Sequence, residues 1–71
     1  MTQYEKILDY MQRFGSITPL DAFKDLGIIR LSARIYDMRK DGITIYGKYE
    51  TSKNRFGEKV RYMRYSLKER S

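Results

Sequence analysis

Neither cysteine nor histidine occurs anywhere in these 71 residues. Disulfides are excluded as staples, and so is a structural zinc site, which needs thiolate or imidazole ligands rather than carboxylates alone. No metal or other cofactor is expected, and packing by itself must hold the chain. At 8.6 kDa it buries roughly 60% of its unfolded surface, near the lower limit for a domain without cross-links. The expectation is one domain spanning 1–71. A hydrophobic content of 41% against 34% charged is a globular balance rather than a disordered one. No apolar run is long enough to span a bilayer. The opening Met1-Thr-Gln-Tyr-Glu-Lys has no apolar signal core, which with zero cysteine predicts a cytoplasmic protein without a membrane partner.

Three helices are legible. Thr2-Gln-Tyr-Glu5 is a capping box, and Tyr4, Ile7, Leu8, Met11 and Phe14 follow as one apolar stripe, predicting a helix over about 3–14 that stops at Gly15. Ser16-Ile17-Thr18 is long enough only for a linker or a single strand rung. Thr18 as N-cap, Pro19 at the first helical position and Asp21 near the positive dipole end open a second helix over about 19–26. Leu20, Phe23 and Leu26 are its expected buried stripe, and Gly27 closes it. The third runs over about 30–41, with Leu31, Ile35 and Met38 inward. Its outer surface carries Arg30, Ala33, Tyr36, Asp37 and Lys40, with Ser32, Arg34 and Arg39 on the shoulders. Two short helices joined by a glycine turn, the second one basic, make a helix-turn-helix pattern.

After Gly42 the period changes. Gly42-Ile-Thr-Ile-Tyr alternates as a half-buried strand does, predicting strands over about 43–49 and 60–67 around a polar loop, 50–59. Tyr62 and Tyr65 fall on opposite faces of the second strand unless a bulge intervenes, which leaves open which of them is buried. Phe56, beside the loop tip, is expected to fold back and staple the hairpin. The fold class is thus α+β: a three-helix bundle followed by a two-stranded β-hairpin wing.

Charge divides the chain. Residues 1–29 hold three Lys or Arg against four Asp or Glu, a net of −1, whereas residues 30–71 hold twelve against five, a net of +7. The whole positive excess lies in the C-terminal part, the footprint of a polyanion binder. Arginines number eight against seven lysines, and arginine is preferred where planar, bidentate contact with phosphate or guanine is needed.

Helix, short strand, helix, helix and a two-stranded hairpin with a basic tip is the order of a winged helix-turn-helix domain. The stretch Ser16-Ile-Thr-Pro-Leu-Asp-Ala-Phe-Lys-Asp-Leu-Gly-Ile-Ile-Arg-Leu-Ser-Ala-Arg-Ile-Tyr-Asp-Met-Arg-Lys-Asp-Gly resembles a family of small winged helix-turn-helix proteins from bacteriophages and prophages. Asn54-Arg-Phe-Gly-Glu-Lys-Val-Arg-Tyr-Met-Arg-Tyr-Ser-Leu is similar to that family's wing and last strand. The resemblance covers roughly residues 3–67. It implies a transcriptional regulator, an excisionase or another architectural factor, although some winged helices contact only proteins.

Enzymatic readings fare badly, because the commonest general base and the commonest activated nucleophile are missing. The glycines are scattered, and no phosphate-cradling loop is present. The expected activity is therefore double-stranded DNA binding and not catalysis. The recognition helix (Arg30, Ser32, Ala33, Arg34, Tyr36, Asp37, Arg39, Lys40) would enter the major groove. The wing (Lys53, Asn54, Arg55, Lys59) would meet the minor groove or the backbone. Two alternatives remain: a module that inhibits or recruits a host enzyme, and a single-stranded DNA or RNA binder that stacks bases on Tyr62 and Tyr65. With no heptad extension and few apolar residues to spare, the chain is expected to be a monomer that assembles cooperatively on DNA half-sites.

Overall fold

The computed structural model describes residues 1–68. Its elements are α1 (Gln3–Phe14), α2 (Pro19–Leu26), α3 (Leu31–Lys40), β1 (Tyr46–Lys53) and β2 (Lys59–Ser66). The two strands form one antiparallel sheet behind the helices. No helix among the described residues is long and apolar enough to cross a membrane.

Local chemistry sets the helix ends. The Glu5 amide donates to Thr2 Oγ1 at 3.1 Å, and the Thr2 amide donates to Glu5 Oε1 at 3.0 Å. The same reciprocal pair recurs at α2 between Thr18 and Asp21, both bonds at 3.1 Å, with Pro19 in the first turn. Each box satisfies two otherwise orphaned backbone donors. Gly27, at φ +68°, takes the left-handed conformation that ends α2 and starts the turn into α3. That third helix has no side-chain cap. Arg30 is its N-cap, so the helix starts one residue later than the sequence pattern implies.

Ile7 and Met11 from α1, Ala22 from α2, and Leu31, Ile35 and Met38 from α3 form the core with Ile17, Ile28, Ile45 and Tyr65. Of the expected stripe on α2 only Leu26 packs against the core. Leu20 and Phe23 are 63% and 59% exposed, and the helix buries Ala22 instead. Ala22 and Leu26 face the core, and beside them Tyr10 of α1 donates to Asp25 Oδ2 at 2.6 Å. At about 100° per residue, Leu20 and Phe23 then swing outward. The burial assigned to them is supplied by Ile17 and Ile28, which flank the helix. Phe14, at the last turn of α1, also lies outside the core, its ring 4.6 Å from that of Tyr10.

The hairpin is shifted toward its tip relative to the alternation. Residues 43–45 are not strand, because the Ile43 amide donates to the Met38 carbonyl at 3.0 Å and the Ile45 carbonyl is taken by Arg39. Ile45 is buried all the same, so the alternation reports burial and not pairing. The ladder runs without a bulge from Tyr46↔Ser66 to Lys53↔Lys59, through a stretch that reads as loop because both its faces are solvated. Tyr65 is the buried tyrosine and Tyr62 is half-buried on the other face. Ile17 adds one rung beside Tyr65, with reciprocal bonds of 2.8 and 2.9 Å. This rung ties the hairpin base to the α1–α2 link.

Candidate nucleic-acid interface

Helix α3 turns Leu31, Ile35 and Met38 into the core and Arg30, Ser32, Tyr36 and Lys40 into solvent. Ala33, expected at the centre of the open face, is half-buried. Its short side chain lies, by helix geometry, between the longer ones of Arg30, Tyr36 and Asp37. Arg34 is also half-buried; its Nε lies 3.3 Å from Asp37 Oδ2, at ion-pair distance but out of line for a hydrogen bond. Tyr36 stands largely in solvent rather than over the hairpin.

Arg39 differs from its neighbours. Its Nη2 and Nε donate to the Ile45 carbonyl at 2.8 and 3.3 Å, and its guanidinium lies 5.8 Å from the centre of the Tyr65 ring. It braces the end of α3 against the base of the wing. Gly47 lies beside this brace. A Cβ there would sit 3.0 Å from Met63 Sδ, tight enough to make that side chain shift, and in ordinary contact, 3.6 Å, with Arg39 Nη2.

Asn54, a sequence candidate for DNA contact, is the keystone of the wing turn. Its Oδ1 accepts from the amides of Phe56 and Glu58 at 2.9 and 3.0 Å, and its Nδ2 donates to Glu58 Oε1 at 3.3 Å. Asparagine commonly stabilises turns by such bonds to the backbone just ahead of it. The turn spans 54–58, and Gly57 at φ +78° completes it. Phe56 does not fold back. It is 85% exposed at the tip, because no residue of 51–59 offers an apolar surface for it to cover.

Lys53, Arg55 and Lys59 are fully in solvent around that tip, and Lys53 and Lys59 face each other across the ladder. Like charges directly opposed on a two-stranded sheet are destabilising, so the last rung of the wing is electrostatically unsatisfied. Farther back, Arg64 Nε donates to Glu50 Oε1 at 2.9 Å and its Nη1 to Ser16 Oγ at 3.0 Å. That hydrogen bond holds the Glu50 carboxyl below its ordinary range and raises the guanidinium. Arg64 is thereby a structural cation. On α1, the hydrogen bond to Asp25 pushes the Tyr10 phenol up to about 12.

One feature that sequence reasoning missed lies on the strands. The Arg61 guanidinium stacks 4.4 Å from the centre of the exposed Tyr49 ring. The two residues are diagonal across the ladder, and only the register, Thr51↔Arg61 and Tyr49↔Met63, brings them together. Among the described residues, no group of three or more Asp or Glu side chains is placed to hold a metal ion.

No curated protein and no solved structure shows significant similarity to the chain. A family model described as a winged helix-turn-helix domain does match, over residues 2–70. Three helices, a tight turn between the second and third, and an antiparallel hairpin as the wing agree with that match element by element, and the chain belongs to the winged helix-turn-helix domain family.

Proposed function

We propose that this chain is a double-stranded DNA-binding protein, a regulator or architectural factor of a phage or other mobile element acting in the cytoplasm. In this reading α3 lies in the major groove and the wing meets the minor groove or the backbone. The observation that carries it is the division of α3 into an apolar inner stripe and a basic outer surface, beside a wing whose tip is ringed by cations. Arg30 and Arg34 are the proposed base readers, since arginine pairs bidentately with guanine. Ser32, Tyr36 and Asp37 flank them, the small Ala33 permits close approach, and Lys40, Lys53, Arg55 and Lys59 contact phosphates. Arg39 and Asn54 serve by shaping the interface, because their polar groups are engaged within the chain.

Selection of bound duplexes from a random pool tests the assignment. Arg30→Ala and Arg34→Ala are each expected to weaken the selected site by about 1–3 kcal/mol and to relax its sequence preference. Lys53→Ala and Lys59→Ala should weaken all duplexes about equally. An unchanged selected motif in both arginine variants would remove α3 from the role of reader.

The free protein is proposed to be a monomer that assembles on repeated or inverted half-sites. Sedimentation at tens of micromolar should give one species near 8.6 kDa; a stable dimer at low micromolar concentration would overturn this. A second reading, a module that binds a host protein, is favoured by the exposed Leu20 and Phe23 on α2. Single-strand stacking on Tyr62 and Tyr65 loses its platform, since Tyr65 is buried beside Ile17.

A further inference from the structure

We infer that Phe56 is an apolar wedge that enters the minor groove of bound duplex DNA and partly unstacks one base step, bending the duplex. The inference rests on the DNA-binding reading above and adds to it a residue, a groove contact and a deformation.

Three observations carry it. Phe56 is 85% exposed, the most exposed large apolar side chain among the described residues, ahead of Ile29 at 81%. Its position is held rather than loose. The Phe56 amide donates to Asn54 Oδ1 at 2.9 Å, the Asn54 amide to the Glu58 carbonyl at 2.9 Å, and the Gly57 amide to the Asn54 carbonyl at 3.0 Å. An aromatic ring on a turn closed by three hydrogen bonds is presented to a partner at little further ordering cost. The third observation is charge. Arg55 adjoins the ring, and the opposed Lys53 and Lys59 stand one rung behind it.

A partner for this tip must offer an apolar slot bordered by anions. The minor groove meets both requirements: stacked bases lie between two rails of phosphates, and apolar side chains of architectural proteins enter such steps and kink the duplex by about 20–90°. Phosphates on the rails would also relieve the Lys53–Lys59 repulsion, which an apolar protein groove would leave in place. An anionic lipid surface shares the charge, but the tip offers it one ring, whereas stable interfacial binding takes a broad apolar face.

The test uses the duplex that the wild-type protein selects from a random pool, labelled at both ends for energy transfer and carrying 2-aminopurine in place of single adenines. Binding of the wild type is expected to shorten the end-to-end distance and to raise 2-aminopurine fluorescence at one step. Phe56→Ala should abolish both signals and weaken binding about tenfold, while Phe56→Leu keeps the bend. Lys53→Ala should weaken binding with the bend intact. Since the Phe56 ring is in solvent, both Phe56 variants should melt at the wild-type temperature. A wild type that binds without bending, or a Phe56→Ala variant that bends as the wild type does, overturns the wedge and leaves DNA binding standing. Failure to select any duplex, with Phe56-dependent cosedimentation on phosphatidylserine vesicles instead, would overturn both readings.

Discussion

Ile35→Ala is expected to lower the free energy of unfolding by about 2–5 kcal/mol. Ile35 is 1% exposed and shares one cluster with Ile7, Met11, Ile28, Leu31 and Met38. Truncation there removes apolar packing from that cluster and leaves a cavity in the core. In a domain of this size, each kcal/mol moves the midpoint by about 4–8 °C, so the melting temperature should fall by about 10 °C or more. Phe23→Ala, a larger deletion of an exposed ring, should change stability by no more than about 0.5 kcal/mol. Thermal melts of the two variants check both statements. A loss under about 0.5 kcal/mol for Ile35→Ala would put that residue on the surface, rotate α3 and carry its basic side inward.

The affinity of the proposed complex is expected to fall steeply with salt. Lys40, Lys53, Arg55 and Lys59 are exposed; with these four on phosphates, or up to six basic residues of 30–64 in all, log affinity should decline against log salt with a slope of about −4 to −5. Between about 50 and 200 mM salt that is a loss of about 10²–10³-fold. Arg39 and Arg64 are left out of this count, since their guanidinium groups bond the Ile45 carbonyl and the Glu50 carboxylate. Mobility shifts across a salt series measure the slope. A value shallower than about −1 with tight binding retained would mean that these cations do not contact phosphates.

The elements that can be read from the sequence are those whose signal is local. Thr2 with Glu5, and Thr18 with Pro19 and Asp21, mark helix starts because the bonds they make span only three residues. The stripe Leu31, Ile35, Met38 is legible because α3 buries one face and leaves the other wet. Helix α2 misleads for the opposite reason. At eight residues it is too short for its own periodicity to fix its rotation, and the contacts that place it, Ala22 and Leu26 in the core and Tyr10 to Asp25, cross between elements. The hairpin misleads where Ile43 and Ile45 alternate without pairing, and where Thr51, Ser52 and Lys53 pair without alternating. At the candidate site, residue type identifies a cation but not its engagement. Arg34, Arg39, Arg61 and Arg64 look alike along the chain, yet one pairs with a carboxylate on its own helix, one braces a carbonyl, one stacks on a ring and one joins two elements.

The brace formed by Arg39 has a mechanical consequence. It joins the last turn of α3 to the start of the wing through a carbonyl and an aromatic ring. The brace resists a change in the angle between α3 and the hairpin, like a stop on the jaws of a caliper. Under the proposed function, a duplex whose groove spacing does not suit that opening must itself be reshaped to fit. The cost of reshaping depends on the stiffness of each base step, so a braced caliper selects sequences at positions that no side chain touches.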